Sequence, residues 1–183
     1  MKLPNYQSYL YQWLKEFGFT AWNDIYDLVD SQSGKQVFAA DYRLLKDRNS
    51  LILFPIDYSE IKEEFLVNKN QKEVKIPLNI TFCKVEDISQ GANRTIFVDA
   101  DELVFPLVLR KWKTGDVFMP FGMNGKTKKV SKLFKDEKLS LIEKENTWLL
   151  CSKDQIVWVI GIRADDRFRT ANTTKNILKI ELI

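Results

Sequence analysis

Trp148-Leu-Leu-Cys-Ser-Lys-Asp-Gln-Ile-Val-Trp-Val-Ile160 is the stretch that decides the fold. Two apolar runs, Trp148 to Cys151 and Ile156 to Ile160, flank the polar quartet Ser152 to Gln155. Short apolar runs on either side of a turn predict a β-hairpin. Trp148 and Trp158 lie inside the two runs and read as core. Downstream, Ile177 to Leu182 predicts a further strand.

Upstream, Val130, Leu133 and Phe134 share one face of a predicted helix over Val130 to Lys135. Ser140-Leu-Ile-Glu143 has capping-box spacing and predicts the start of one more helical turn. Leu107 to Leu109 and Ile96 to Val98 read as short strands. Val74, Ile76, Leu78, Ile80 and Phe82 alternate with Lys75, Pro77, Asn79, Thr81 and Cys83, which predicts one half-buried strand, with Pro77 placing it at a sheet edge. Residues 57–72 are charged, and Asp57 with Glu60 has the spacing of a capping box. Val37 to Leu45 and Leu51 to Ile56 predict a hairpin across Lys46 to Ser50.

At the start the period is helical. Tyr6, Tyr9, Leu10, Trp13, Leu14 and Phe17 form one apolar stripe, with Asn5 as the expected N-cap and Gly18 as the expected stop. A second helix is expected from Asn23 to Asp30, with Ile25, Leu28 and Val29 inward, before the turn Ser31 to Gly34. The expected class is α+β: an N-terminal helical hairpin with a small antiparallel sheet, then a small mixed β-rich domain with one or two short helices.

The length, 183 residues, suits one large domain or two small ones. No apolar run approaches the length of a membrane span, and no signal-peptide pattern opens the chain. Two cysteines without a CxxC motif exclude a disulfide scaffold and make a reducing cytoplasm the expected location. There is no histidine, which excludes histidine-dependent nucleophile systems, a histidine general base and a histidine-ligated metal. No metal site and no catalytic residue is expected in these residues.

Charge is uneven. Residues 1–105 hold 12 Lys and Arg against 16 Asp and Glu, whereas residues 106–183 hold 16 against 9. The expected boundary therefore falls at Phe105-Pro106, dividing the chain into 1–105 and a basic 106–183. A concentrated positive field favours a polyanion, foremost a nucleic acid. The charge peaks in residues 110–135, where Arg110, Lys111, Lys113, Lys126, Lys128, Lys129, Lys132 and Lys135 stand against Asp116 alone. Gly122 and Gly125 allow close backbone approach to a phosphate, and Lys126 to Lys129 lead into the predicted helix. The rival reading is a solvated basic surface.

Gly125-Lys126-Thr127 resembles the end of a P-loop, but Pro120 stands where the leading glycine is needed, and this excludes nucleotide binding there. Trp112, Phe118 and Phe121 are interleaved with the cations; they could stack on bases, but packing is the favoured reading. Asp165 and Asp166, among Arg163, Arg167 and Arg169, suit an ion-pair turn better than acid/base catalysis.

Four blocks carry a family resemblance: Leu109 to Asp116, Pro120 to Met123, Lys128 to Asp136, and Ile156 to Arg163 with Asp166-Arg-Phe168. They resemble the C-terminal domain of bacterial tRNA(Ile)-lysidine synthetases. Ser31 to Lys35 and Arg43 to Arg48 resemble the middle region of the same family. Thr114 and Val117 depart from it, since the family often has proline and arginine there. The resemblance implies an ATP-dependent ligase, in which a PP-loop domain adenylates the wobble cytidine of a minor isoleucine tRNA and lysine displaces AMP. That domain's signature, Ser-Gly-Gly-x-Asp-Ser, does not occur in these 183 residues. The chain is thus expected to be the C-terminal portion, with ATP and Mg²⁺ belonging to the missing catalytic domain and no cofactor of its own.

The resemblance further implies that this portion holds the tRNA body and acceptor stem beside its own catalytic domain. Arg110, Lys111, Lys113, Lys126, Lys128, Lys129 and Lys132 are the expected RNA-binding residues, contacting phosphates more than bases. The second domain also resembles, at fold level, a domain of the β subunit of phenylalanyl-tRNA synthetase. The rival reading is a structural module forming a homodimer through strand edges exposed at Ile156 to Ile162 or Ile177 to Ile183.

Overall fold

The computed structural model describes residues 4–57, 64–88 and 94–183. The expected capping residue Glu60 lies outside these. The chain forms two compact units, Met1–Ile61 and Lys62–Ile183.

The first unit opens with α1 (Tyr6–Leu14), a 3₁₀ turn over Lys15–Phe17 and α2 (Trp22–Leu28). Gly18 ends the first helical segment with φ 75°, in the left-handed region that glycine tolerates. Asn5 departs from its expected role. Its own φ is 62° and its side chain makes no capping bond. The apolar stripe divides too: Leu10 and Leu14 are buried, but Tyr9 and Trp13 are exposed and stack on each other 6.2 Å apart. Ile25 and Leu28 of α2 join Leu10 and Leu14 in the core of this unit.

A three-stranded antiparallel sheet follows, β1 (Gln36–Phe38), β2 (Tyr42–Asp47) and β3 (Ser50–Pro55), in that order. The run read as one strand from Val37 to Leu45 is therefore two strands. The chain reverses over Ala39 to Asp41, and the Ala39 N–H donates to the Tyr42 carbonyl at 2.7 Å. Arg48 sits at φ 48° in the tight turn from β2 to β3.

The second unit is built on two sheets. The five-stranded one runs β13 (Arg163–Ala164), β12 (Gln155–Val159), β11 (Trp148–Ser152), β8 (Leu107–Lys111), β4 (Glu64–Val67). The four-stranded one runs β5 (Glu73–Val74), β6 (Ile80–Val85), β14 (Ile177–Leu182), β7 (Thr95–Asp99). The hairpin expected over Trp148 to Ile160 is present as β11 and β12. Its loop is tighter than expected, because Ser152 and Gln155 pair directly and Lys153, at φ 51°, turns the chain with Asp154.

Both faces of the five-stranded sheet are covered. Trp148, Leu150, Val157 and Trp158 lie in one core with Ile80, Phe82, Val98 and Ile180 of the other sheet. Leu149, Cys151, Ile156 and Val159 lie in a second core with Val130, Leu133 and Phe134 of α3 (Val130–Asp136). That explains the unbroken apolar runs: a strand buried on both faces has no polar side to alternate with. α4 (Leu141–Asn146) leads into β11 and starts with the expected capping box. The Glu143 amide donates to Ser140 Oγ at 3.3 Å, and the Ser140 amide to Glu143 Oε2 at 2.7 Å.

Two expectations fail here. The alternating stretch Val74 to Cys83 is not one strand, since β5 and β6 are separated by residues 75–79 and Ile76 is exposed. Pro77 cannot donate to a ladder, and it lies in this break. β14 is not an exposed edge either. It pairs with β6 on one side and β7 on the other, and β12 is likewise flanked by β11 and β13. The motive for edge-to-edge association is therefore gone from both segments. The Phe105-Pro106 junction lies within the second unit, where β4, before it, pairs with β8, after it.

Candidate nucleic-acid interface

The basic segment from Arg110 to Lys135 splits into cations held inward and cations left in solvent. Arg110 is at the end of β8, opposite Leu149. Its two terminal nitrogens donate to both carboxylate oxygens of Asp116, at 2.8 and 2.9 Å. Asp116 also accepts from the Lys113 amide at 2.7 Å. Burial opposes the charge on Asp116, but Arg110 and the Lys113 amide outweigh it and hold the carboxyl below its usual range. This clasp closes the loop from β8 to β9 (Val117–Phe118).

Lys111 is also turned inward. Its ammonium donates to the Glu145 carbonyl near the end of α4 at 2.7 Å and lies 4.6 Å from the Trp148 ring. A cation there satisfies carbonyls that the helix leaves unpaired. Burial lowers the Lys111 pKa, opposed by Glu145. Arg110 and Lys111, expected as phosphate contacts, thus have structural partners.

Of the other five expected residues, four fall between Lys126 and Lys132, in a segment that forms a surface ridge, and Lys113 lies in the loop from β8 to β9. β10 (Lys128–Lys129) pairs with β9 and runs directly into α3. Lys126, Lys129 and Lys132 are exposed, as is Lys135. Lys128 is half-buried and reaches Asp136 at 2.8 Å. Asp136 is held below its usual range by that hydrogen bond first, and by the nearby charges of Lys132 and Lys135. One lysine of β10 and two of α3 therefore surround a single carboxylate. Lys113 is exposed and stands 3.6 Å from Glu64.

At the start of α3, where a phosphate cradle is expected, one amide is already engaged. The Val130 amide donates to the Asp116 carbonyl at 2.9 Å, and the helix is seven residues long. Gly122 and Gly125 have φ of 86° and 73°, so the turn itself requires them.

The aromatics separate cleanly. Phe118 is 1% exposed, and Trp112 packs edge-on to Phe134 while its indole donates to the Lys144 carbonyl. Phe121 is 53% exposed. Asp165 is the ion-pair turn that its neighbours imply. Its buried carboxylate accepts Arg167 Nε and Nη2, both at 2.8 Å, the Arg167 amide at 3.0 Å and the Met119 amide at 2.8 Å. Arg169 pairs with Asp166 at 3.6 Å, as expected, whereas Arg163 stands 3.8 Å from Glu137 instead; both side chains stay largely exposed. No feature of the sequence distinguishes them from Arg167 beforehand.

Fold and surface together define a class: an α+β protein of two units whose second unit carries a lysine-rich ridge on a sheet covered on both faces. Comparison with known proteins places it within that class. A family model described as the TilS substrate binding domain matches residues 1–56, and one described as the TilS substrate C-terminal domain matches residues 107–182. The tRNA(Ile)-lysidine synthase of Parabacteroides distasonis is 42% identical over 189 residues, covering 100% of this chain and 43% of the relative. That of Bacteroides thetaiotaomicron is 35% identical over 185 residues, covering 98% and 41%. The chain belongs to the TilS family, with that family's substrate-binding and C-terminal domains. It spans less than half the length of these relatives. A solved structure described as the crystal structure of TILS C-terminal domain shares the fold, with a TM-score of 0.51 at 21% identity, covering 64% of this chain and 88% of the other.

Proposed function

We propose that this chain holds tRNA for a ligase that converts the wobble cytidine of a minor isoleucine tRNA to lysidine, and is not catalytic by itself. ATP and Mg²⁺ belong, in this reading, to a domain bearing the Ser-Gly-Gly-x-Asp-Ser signature. The observation that carries the proposal is the ridge, where Lys126, Lys129, Lys132 and Lys135 are exposed within ten residues and Lys128, Lys132 and Lys135 crowd the one carboxylate of Asp136. Packed lysines repel one another, and a row of phosphates relieves that repulsion while releasing counterions. Lys128 joins them when a phosphate replaces Asp136, and Lys113 extends the surface. Arg110 acts by fixing the loop from β8 to β9, and Lys111 by holding the end of α4. Such contacts give affinity and register, since an A-form stem is recognised through its backbone and shape. The relatives' printed name, tRNA(Ile)-lysidine synthase, supports tRNA as the polyanion.

The test is a salt titration of tRNA binding by fluorescence anisotropy. Log affinity should fall steeply with log salt. Replacing Lys126, Lys129 and Lys132 together with alanine should lower that slope by roughly two to three units, about 0.9 per lost contact. A slope near zero, or a triple variant that binds like the parent, refutes the proposal.

A further inference from the structure

Away from the ridge, a groove of about 430 Å³ opens beside two strand edges of the second unit. β7 is the end strand of the four-stranded sheet, and β13 the end strand of the five-stranded one. Phe97 of β7 lines the groove, as do Trp158 beneath it and the exposed ring of Phe121. The volume falls within the range of small-molecule sites, roughly 300–1,000 Å³.

Its polar side is cationic. Arg163 and Arg169 line the groove, with side chains 46% and 62% exposed. Their carboxylate neighbours, Glu137 and Asp166, stand at 3.8 and 3.6 Å, longer than a charge-assisted hydrogen bond. Asp165 also lines the groove, but its carboxylate is already bound by Arg167 and the Met119 amide. An exposed aromatic face beside two reachable guanidinium groups suits one chemical unit, a flat base joined to a phosphate. A paired base offers no free face, so the base must be unpaired.

We infer that this groove takes one unpaired nucleotide of the bound RNA, its base against Phe121 and its phosphate at Arg163 and Arg169. The inference rests on the RNA-binding reading above and adds a second, differently built contact to it. Stacking here is indifferent to base identity, because every base has a π-face.

The experiment compares two stem–loop RNAs of identical stem, one blunt and one with four unpaired 3′ nucleotides, binding to the 183-residue chain at fixed salt. The overhang should bind about fivefold tighter or more, the lower end of one stacked base. Phe121→Ala should erase that gain and leave blunt-stem affinity within about twofold, since the ring is exposed and outside the core. Phe121→Tyr should keep the gain. Arg163→Gln with Arg169→Gln should reduce it. Equal affinity for the two stems overturns this inference alone, as does a gain that survives Phe121→Ala. Failure to bind either stem overturns the RNA reading and this inference with it. AMP at micromolar concentration should leave the gain in place; if it abolishes the gain, the groove belongs to a free nucleotide and the RNA-borne occupant is overturned.

Discussion

Two sets of cations in the second unit look alike in sequence and behave as opposites in the fold. Arg110 and Arg167 each grip a carboxylate through two nitrogens; Asp165 is inaccessible and Asp116 is part-buried. Lys126, Lys129 and Lys132 stand in solvent a few residues away. The difference follows from the partner within reach more than from the type of cation. Arginine's planar fork suits the carboxylates of Asp116 and Asp165, but Lys111 is held inward by the Glu145 carbonyl, and Arg163 and Arg169 stay exposed. A basic segment can thus be half scaffold and half surface, and counting charges does not separate the halves.

The sharpest way to break this contrast is at Asp165. Asp165→Ala leaves Arg167 and the Met119 amide unpartnered next to the core. It should destabilise the chain by about 3–5 kcal/mol in a urea titration. Next comes Arg110→Ala, expected to cost about 2 kcal/mol by leaving Asp116 without its main partner. Its acid behaviour sharpens the point. Asp116 titrates below its unfolded value in the folded chain. The stabilisation from the clasp is therefore complete above the unfolded value, near pH 4, and is lost as pH falls through the folded one. Arg110→Ala should flatten that acid limb in thermal melts recorded between about pH 2 and pH 6. The smallest effect belongs to the ridge. Lys126→Ala, Lys129→Ala and Lys132→Ala should each move stability by no more than about 0.5 kcal/mol. A larger loss at any of them would place that lysine in the scaffold and not on the surface.

Much of this architecture was legible from pattern. The apolar runs at Trp148 to Ile160, the helix face of Val130, Leu133 and Phe134, and the Ser140–Glu143 box all rest on local chemistry strong enough to survive packing. The failures share a cause. Nothing within Val37 to Leu45 signals a break, because the reversal at Ala39 to Asp41 uses neither glycine nor proline. Trp13 and Ile76 fit their stripes but face solvent, and only the tertiary surroundings decide that. At the site, Asp116 gave a clue, being the one acid in the basic stretch and six residues from Arg110. The attachment of Lys111 to a helix end 34 residues away left no local trace. Phe121 differs from Phe118 by exposure alone, and sequence does not report exposure.

β14 has a consequence for how the molecule is made. Its two neighbours, β6 and β7, precede it in the chain by about eighty to a hundred residues. During synthesis both are translated long before their shared partner. Until residues 177–182 leave the ribosome, β6 has only the short β5 beside it and β7 has no ladder partner among the described strands, a standing invitation to mispair with other nascent chains. The sheet closes in a single late event, when one short segment slots between two strands already made.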